Sequence, residues 1–456
     1  MSELNSNIRA DITTIPIKKV AAFFIMLFIL YIGFAVYFHL VGYKMEIPEY
    51  MHYDRAVMTI CYFMMLALCF IKIEKNALFI VVTTFFFLSV LYVKQSYYSA
   101  DLDEFGIAVD SYKYMDYGFK YYTYPFNEFI GRLYQAGFKF DDLGYFTFIY
   151  YTYSFFPDYT TTTYIVVIVN MFLLYVSMLY IYKSLMLLQC SDFIGKLASV
   201  LYGASPFLIV TVSCGLKELM FNVFIILAMY NMIKITKQRS IFNILWSLLW
   251  ISFCALFRSA TAYSLLLSLI VSATLTKRNS RMYLYVILGL LLLTSTILPY
   301  LVERLFGVSL EFILAVNDYR YTGTDMSYKN IISVLAGVLG PFPNFDRPSE
   351  YAFMHGVFAF VTCFMHIYFL LAIYRIVKNN QYVYYPMILY VIMTIVMNIV
   401  SGVTLDMRFH ITYMPFFFIL AVPNMRFKPL RDISFGCVVV AIFLAYSTRD
   451  VSLFRQ

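Results

Sequence analysis

The sequence predicts an all-α integral membrane protein with about 12–13 transmembrane helices and two long outer-face loops containing interfacial helices. Hydrophobic residues make up 62% of the chain and charged residues only 13%, whereas a soluble domain carries roughly a quarter charged. Runs of about 17–25 residues with hardly a charge recur along the chain, the length that crosses a hydrocarbon layer roughly 30 Å thick at about 1.5 Å per residue. Stretches such as Val20 to Val41 and Met282 to Leu298 are apolar on nearly every face, which excludes the alternating strands of a membrane barrel.

Taken in order, the apolar runs place spans at 20–42, 56–72, 77–93, 161–182, 194–212, 217–235, 241–257, 260–276, 282–301, 352–374, 382–402, 409–424 and 433–447. The first follows a polar tail with Arg9, Lys18 and Lys19 and reads as a retained signal anchor. The last is short and reads as a span or an interfacial helix. No repeat or linker interrupts the chain, so residues 1–456 form a single membrane domain.

Alternate connections are basic: Lys72 and Lys75, Lys183 and Lys196, Lys234 with Lys237 and Arg239, Lys277 with Arg278 and Arg281, Arg375 with Lys378, and Arg426 with Lys428 and Arg431. The positive-inside rule makes that side, and the N-terminus, cytoplasmic. The other side holds a short turn at 43–55 and two loops, 94–160 and 302–351, richer in Asp and Glu than in Lys and Arg. The net charge of +8 is thus spread over short connections, as topology demands, and does not form a nucleic-acid-binding patch. The seven cysteines lie singly, without a C-x-x-C pair, and the histidines show no ligand spacing. Neither a disulfide framework nor a metal or other cofactor is indicated.

The functional argument rests on charges at the outer face. On this topology Asp103, Glu104, Asp110, Lys217, Glu218, Arg258, Arg347 and Arg408 all open to one side, and charges at that depth are costly unless paired or wet. Guanidinium forks and ammonium groups hold phosphate or pyrophosphate oxygens, and a nearby carboxylate can deprotonate a sugar hydroxyl. The 43 Tyr and 46 Phe against two Trp supply rings that stack on sugars or belt the membrane interface. Structural readings stand beside these: Lys217 and Glu218 as a snorkelling helix start, Arg408 as an ion pair with Asp406, and Asp101 to Glu104 as a solvated acidic turn.

Asp110-Ser111-x-x-Tyr114, Gly215-Leu216-Lys217-Glu218, Arg258, Pro341-x-Pro343, and Arg408 leading into Tyr413-x-Pro415 are dispersed over about residues 95–420. Together they resemble the bacterial O-antigen and exopolysaccharide repeat-unit polymerases, within the wider GT-C-like superfamily of membrane glycosyltransferases that use polyprenyl-linked sugars. The resemblance implies glycosyl transfer at the periplasmic face of the inner membrane. Undecaprenyl pyrophosphate would leave and a second lipid-linked oligosaccharide would accept, with a flippase and a chain-length regulator as partners. It implies Lys217, Arg258 and Arg408 as pyrophosphate contacts, Arg320 and Arg347 as further substrate contacts, and Asp110, Glu218 or Glu104 as catalytic carboxylates. The Asp-x-Asp at 101–103 is more typical of transferases that take one sugar from a polyprenyl phosphate, which keeps that reading open. A flippase of lipid-linked oligosaccharide is the reading of another class.

Overall fold

The computed structural model describes residues 17–40, 49–97, 108–138, 140–275, 282, 289, 338–339, 350–400 and 410–453. Among them every regular element is helical: α1 (Ile17–Leu40), α2 (Glu49–Leu68), α3 (Lys75–Tyr97), α4 (Ala108–Tyr121), α5 (Phe126–Gln135), α6 (Leu143–Phe155), α7 (Tyr159–Leu187), α8 (Asp192–Gly203), α9 (Pro206–Ser213), α10 (Glu218–Lys237), α11 (Ile241–Ala255), α12 (Ser259–Thr274), α13 (Glu350–Lys378), α14 (Tyr385–Val400), α15 (Met414–Ala421) and α16 (Pro429–Leu453). Four of these are long and apolar enough to cross a bilayer: α3, α7, α10 and α13. The α8–α9 pair makes a fifth if it counts as one span.

Three expected spans take a different form. The run 194–212 is broken, with α8 and α9 meeting at 42°, because Pro206 has no amide hydrogen to give and disfavours helix in the residue before it. The run 409–424 yields only the eight-residue α15, with Pro415 near its start and Pro423 just beyond its end. The run 433–447 is instead part of a 25-residue helix, α16, so it is longer than its apolar stretch implied. The expected span 282–301 and loop 302–351 lie outside the described residues, except for Met282, Gly289, Val338 and Leu339.

Helices α10 and α13 form the inside of the bundle. About three-quarters of α10 is buried, against a third of α3, and its buried face carries Asn222 and Asn231 among the apolar residues. Helices α7 and α8 approach along Gly195, Ser199 and Gly203, one residue per turn. The Ser199 hydroxyl donates to the Met178 carbonyl across that seam at 2.9 Å. Small residues let helices close up where lipid leaves no hydrophobic drive between them.

The two ends of the bundle differ in charge. At one end Lys196 donates to the Ile73 carbonyl at 2.6 Å, Lys237 to the Leu187 carbonyl, and Arg375 to Asn424 at 3.0 Å. These three belong to the connections expected to be basic; the connection with Lys277, Arg278 and Arg281 lies outside the described residues. At the other end α4, α5 and α6 form an aromatic layer, with Tyr114 edge-on to Tyr145 at 5.1 Å and Phe138 edge-on to Phe146 at 4.6 Å. Edge-to-face rings add to their burial because the positive edge meets the negative face. This is where the expected loop 94–160 falls.

Gly144 fastens that layer to the bundle. Its amide donates to the Leu256 carbonyl at 2.9 Å, and a Cβ there would sit 2.6 Å from the Phe257 ring. That ring cannot swing away, since it is buried and lies against Phe221 and Phe224. Gly144→Val should therefore destabilise the protein by about 2 kcal/mol through overpacking. Thermal unfolding in detergent checks this.

Candidate functional site

The site begins with a turn that only glycine forms easily. Helix α9 ends at Ser213 and the chain must reverse into α10 within four residues, so Gly215 adopts φ +65°, a region that costs other residues. The Gly215 and Leu216 amides donate back to the Val212 and Thr211 carbonyls, each at 3.0 Å, closing the helix end. The Tyr145 hydroxyl, from α6, donates to the Gly215 carbonyl and locks the turn to the aromatic layer. Burial first, and the neighbouring Glu218 carboxylate second, push the Tyr145 phenol upward, so it stays protonated as that bond requires.

Lys217 and Glu218 follow at the start of α10, both buried. The Lys217 ammonium donates to Asp142 Oδ1 at 2.5 Å and to the Asp141 carbonyl at 3.0 Å. Its side chain is only 9% exposed and that of Asp142 20%. Tyr114 completes the grip: its hydroxyl donates to the same Asp142 oxygen at 2.8 Å, and its ring faces the ammonium at 5.7 Å. Removed from water, such a pair holds only if its remaining donors and acceptors are met, and Tyr114 and the Asp141 carbonyl meet several of them.

Asp141 points the other way. Its carboxylate accepts the Ser259 amide at 3.2 Å and the Ser259 hydroxyl at 3.3 Å. It thereby satisfies a backbone amide in the first turn of α12, which no intrahelical carbonyl can reach. The preceding residue, Arg258, sits in extended backbone at the N-terminus of α12 and places its guanidinium 5.3 Å from the centre of the Phe221 ring. Phe221 is one turn along α10 from Lys217 and Glu218. The 310 turn Phe140–Asp142 is thus the piece that joins the starts of α10 and α12.

Glu218 differs from its neighbours. Its Oε2 is buried and has no hydrogen-bond partner. One turn deeper, Asn222 donates to the Tyr202 hydroxyl and to the Ile411 carbonyl, both at 3.3 Å, which leaves its own Oδ1 unpaired. Leaving such an acceptor unmet costs about 1–3 kcal/mol, so the α10 face at Glu218 and Asn222 is set to receive hydrogen-bond donors.

Of the residues singled out in the sequence, the structure brings together Lys217, Glu218 and Arg258. Asp110 is on the first turn of α4, four residues before Tyr114, with its side chain outside the described residues. Asp103, Glu104, Arg320, Arg347 and Arg408 also lie outside them. Sequence reasoning passed over Asp141, Asp142 and Ser259 as site residues, although the Asp-Asp pair just before Gly144 and the aromatic run was visible. Among the described residues no group of three His, Cys, Asp or Glu side chains is arranged to hold a metal ion. No family model, curated protein or solved structure matches the chain.

Proposed function

We propose that the protein is a membrane glycosyltransferase that joins polyprenyl-pyrophosphate-linked oligosaccharides, a repeat-unit polymerase. One observation carries the proposal: cationic and anionic side chains from α10, the start of α12 and the Asp141–Asp142 turn meet at one end of an apolar bundle, with a buried Glu218 oxygen, Oε2, that has no hydrogen-bond partner among them. A lipid-linked anion presents phosphate at that depth while its tail stays in the bilayer.

In this reading Arg258 contacts the carrier's pyrophosphate, since a guanidinium offers donors in a planar fork matched to phosphate oxygens. Lys217, engaged with Asp142, holds the turn and adds positive potential as charge develops on the leaving group. Glu218 accepts the proton of the attacking sugar hydroxyl. Asp110, Arg408, Arg320 and Arg347 belong to the wider site suggested by the resemblance.

The site's position opposite the basic end of the bundle supports a periplasmic active face and a cytoplasmic N-terminus in the inner membrane. The short apolar helices α11, α12 and α14 and the run 282–301 support a total near a dozen spans. Charge at one surface, and not at the midplane between related halves, favours an enzyme over a flippase.

Deleting the gene from its host tests the assignment. Carrier lipid bearing one complete repeat unit on the outer leaflet is the expected result. Loss of lipid-linked units would point to a single-sugar transferase, and their build-up on the cytoplasmic leaflet to a flippase.

A further inference from the structure

Beneath the Lys217 cluster, unmet oxygens from three parts of the bundle face one another. Asn170 on α7, Ser205 between α8 and α9, and Glu218 and Asn222 on α10 are each at most 4% exposed. Each carries a side-chain oxygen with no hydrogen-bond partner, and the Asn170 amide nitrogen has none either. Ser205 precedes α9 but its hydroxyl does not cap that helix.

The register of the helices brings these residues to one depth. Helices α7 and α10 run parallel and in contact: Tyr180 meets the Tyr230 ring at 5.1 Å and the Leu187 carbonyl accepts from Lys237, both pairs fifty positions apart. Equal rise along both helices then sets Asn170 level with Met220, between Glu218 and Asn222. Around α7, Asn170 falls between Tyr180, which meets α10, and Met178, whose carbonyl accepts from Ser199 on α8, so it is turned towards the seam that α8 covers. Asn222 is turned to the same seam, where it donates to the Tyr202 hydroxyl at 3.3 Å. Ser205 lies three residues beyond Tyr202, towards the level of Glu218.

We propose that this seam binds a sodium ion, held by oxygens of Glu218, Asn222, Asn170 and Ser205. The donor set is oxygen only, which suits a hard cation. Charge selects a monovalent one: a single carboxylate among neutral oxygens is balanced by one positive charge, whereas a divalent ion would leave a net charge buried. The break between α8 and α9 is the kind of interruption at which membrane proteins hold sodium. A buried carboxylate also needs a counter-charge. Lys217 does not supply it, being engaged by Asp142, and among the described residues no ion pair engages Glu218. The ion site stands whether or not the protein is a transferase.

The test uses the full-length protein, purified in detergent without saccharide, in sodium, potassium or choline chloride at one ionic strength. Sodium should raise the thermal unfolding midpoint in a saturable way, and equilibrium binding of radioactive sodium should show a single site. Glu218→Gln and Asn170→Leu should each weaken that binding by about tenfold or more, the scale of loss when a metal site is stripped of a supporting group. Ser268→Ala, buried on α12 and bonded within its own helix, should leave it unchanged. If Glu218→Gln fails to fold, Asn170→Leu carries the test, since it removes two unmet polar atoms and should raise the midpoint in choline while losing the response to sodium. Equal midpoints in all three salts would assign the seam to water and overturn the proposal. So would a response to potassium as strong as that to sodium, or full sodium binding in a folded Glu218→Gln or Asn170→Leu variant. Because no saccharide is present, these outcomes leave the transferase reading untouched, and its failure in the deletion strain leaves the ion site untouched.

Discussion

Replacing Lys217 with Met is expected to cost about 3 kcal/mol of stability, more than any other single change of a charged residue at the site. The substitution keeps most of the volume but leaves Asp142, 20% exposed, facing an apolar side chain. The Tyr114 hydroxyl remains as its donor, and one neutral donor does not offset a lost ammonium at 2.5 Å. Asp142→Asn alone should cost less, since the amide still accepts from Tyr114 and from the lysine. In Lys217→Met/Asp142→Asn no charge is stranded, so the double variant should be more stable than Lys217→Met, with a coupling of about 1–3 kcal/mol in a double-mutant cycle. Unfolding of the detergent-solubilised protein measures each corner. A Lys217→Met cost below about 1 kcal/mol would class the contact with ordinary surface ion pairs and remove it as the clasp between α10 and the aromatic layer.

How visible this was in the sequence depends on contrast. A Lys-Glu pair and an arginine stand out inside long apolar stretches, and Lys217, Glu218 and Arg258 were legible for that reason. Asp141 and Asp142 lie in a segment already crowded with carboxylates and tyrosines, where two further acids read as solvated surface. What makes them special is their partners: Lys217 is 75 residues from Asp142, and Ser259 is 118 from Asp141. Composition and helical periodicity report neighbours within a turn or two, so contacts of that range leave no mark in a single sequence. The long helices α3, α7, α10 and α13 were legible because bilayer thickness sets their length. The break between α8 and α9 was also written in Ser205-Pro206, but mean hydropathy over the window runs straight through it. Gly144 shows the same limit. A glycine before an aromatic run looks like a helix start, and only the Phe257 ring, 113 positions along, turns it into a steric requirement.

On the proposed function, Arg258→Ala is expected to lower glycosyl transfer by about a hundredfold or more, the loss seen when a preorganised charge that meets the transition state is removed and worth about 3 kcal/mol. Folding should be little affected, for two reasons. The start of α12 is held by the Ser259 contacts with Asp141, which do not use the arginine side chain. The backbone amide of Arg258, which donates to the Cys254 carbonyl at 2.8 Å, is retained in alanine. Arg258→Lys should recover only part of the activity. A lysine restores the positive charge beside Phe221, but a single ammonium cannot span two phosphate oxygens as the planar fork does. The ordering Arg, then Lys, then Ala separates phosphate recognition from packing against the Phe221 ring. If the contact with the ring were the whole role, Lys would recover most of the activity, because an ammonium also sits on an aromatic face, and Phe221→Leu would match Arg258→Ala. Chain-length profiles of the polysaccharide, read with the amount of protein in the membrane, distinguish these outcomes. Wild-type polymer from Arg258→Ala would take Arg258 out of the catalytic site and leave the cluster around Lys217 as a structural clasp.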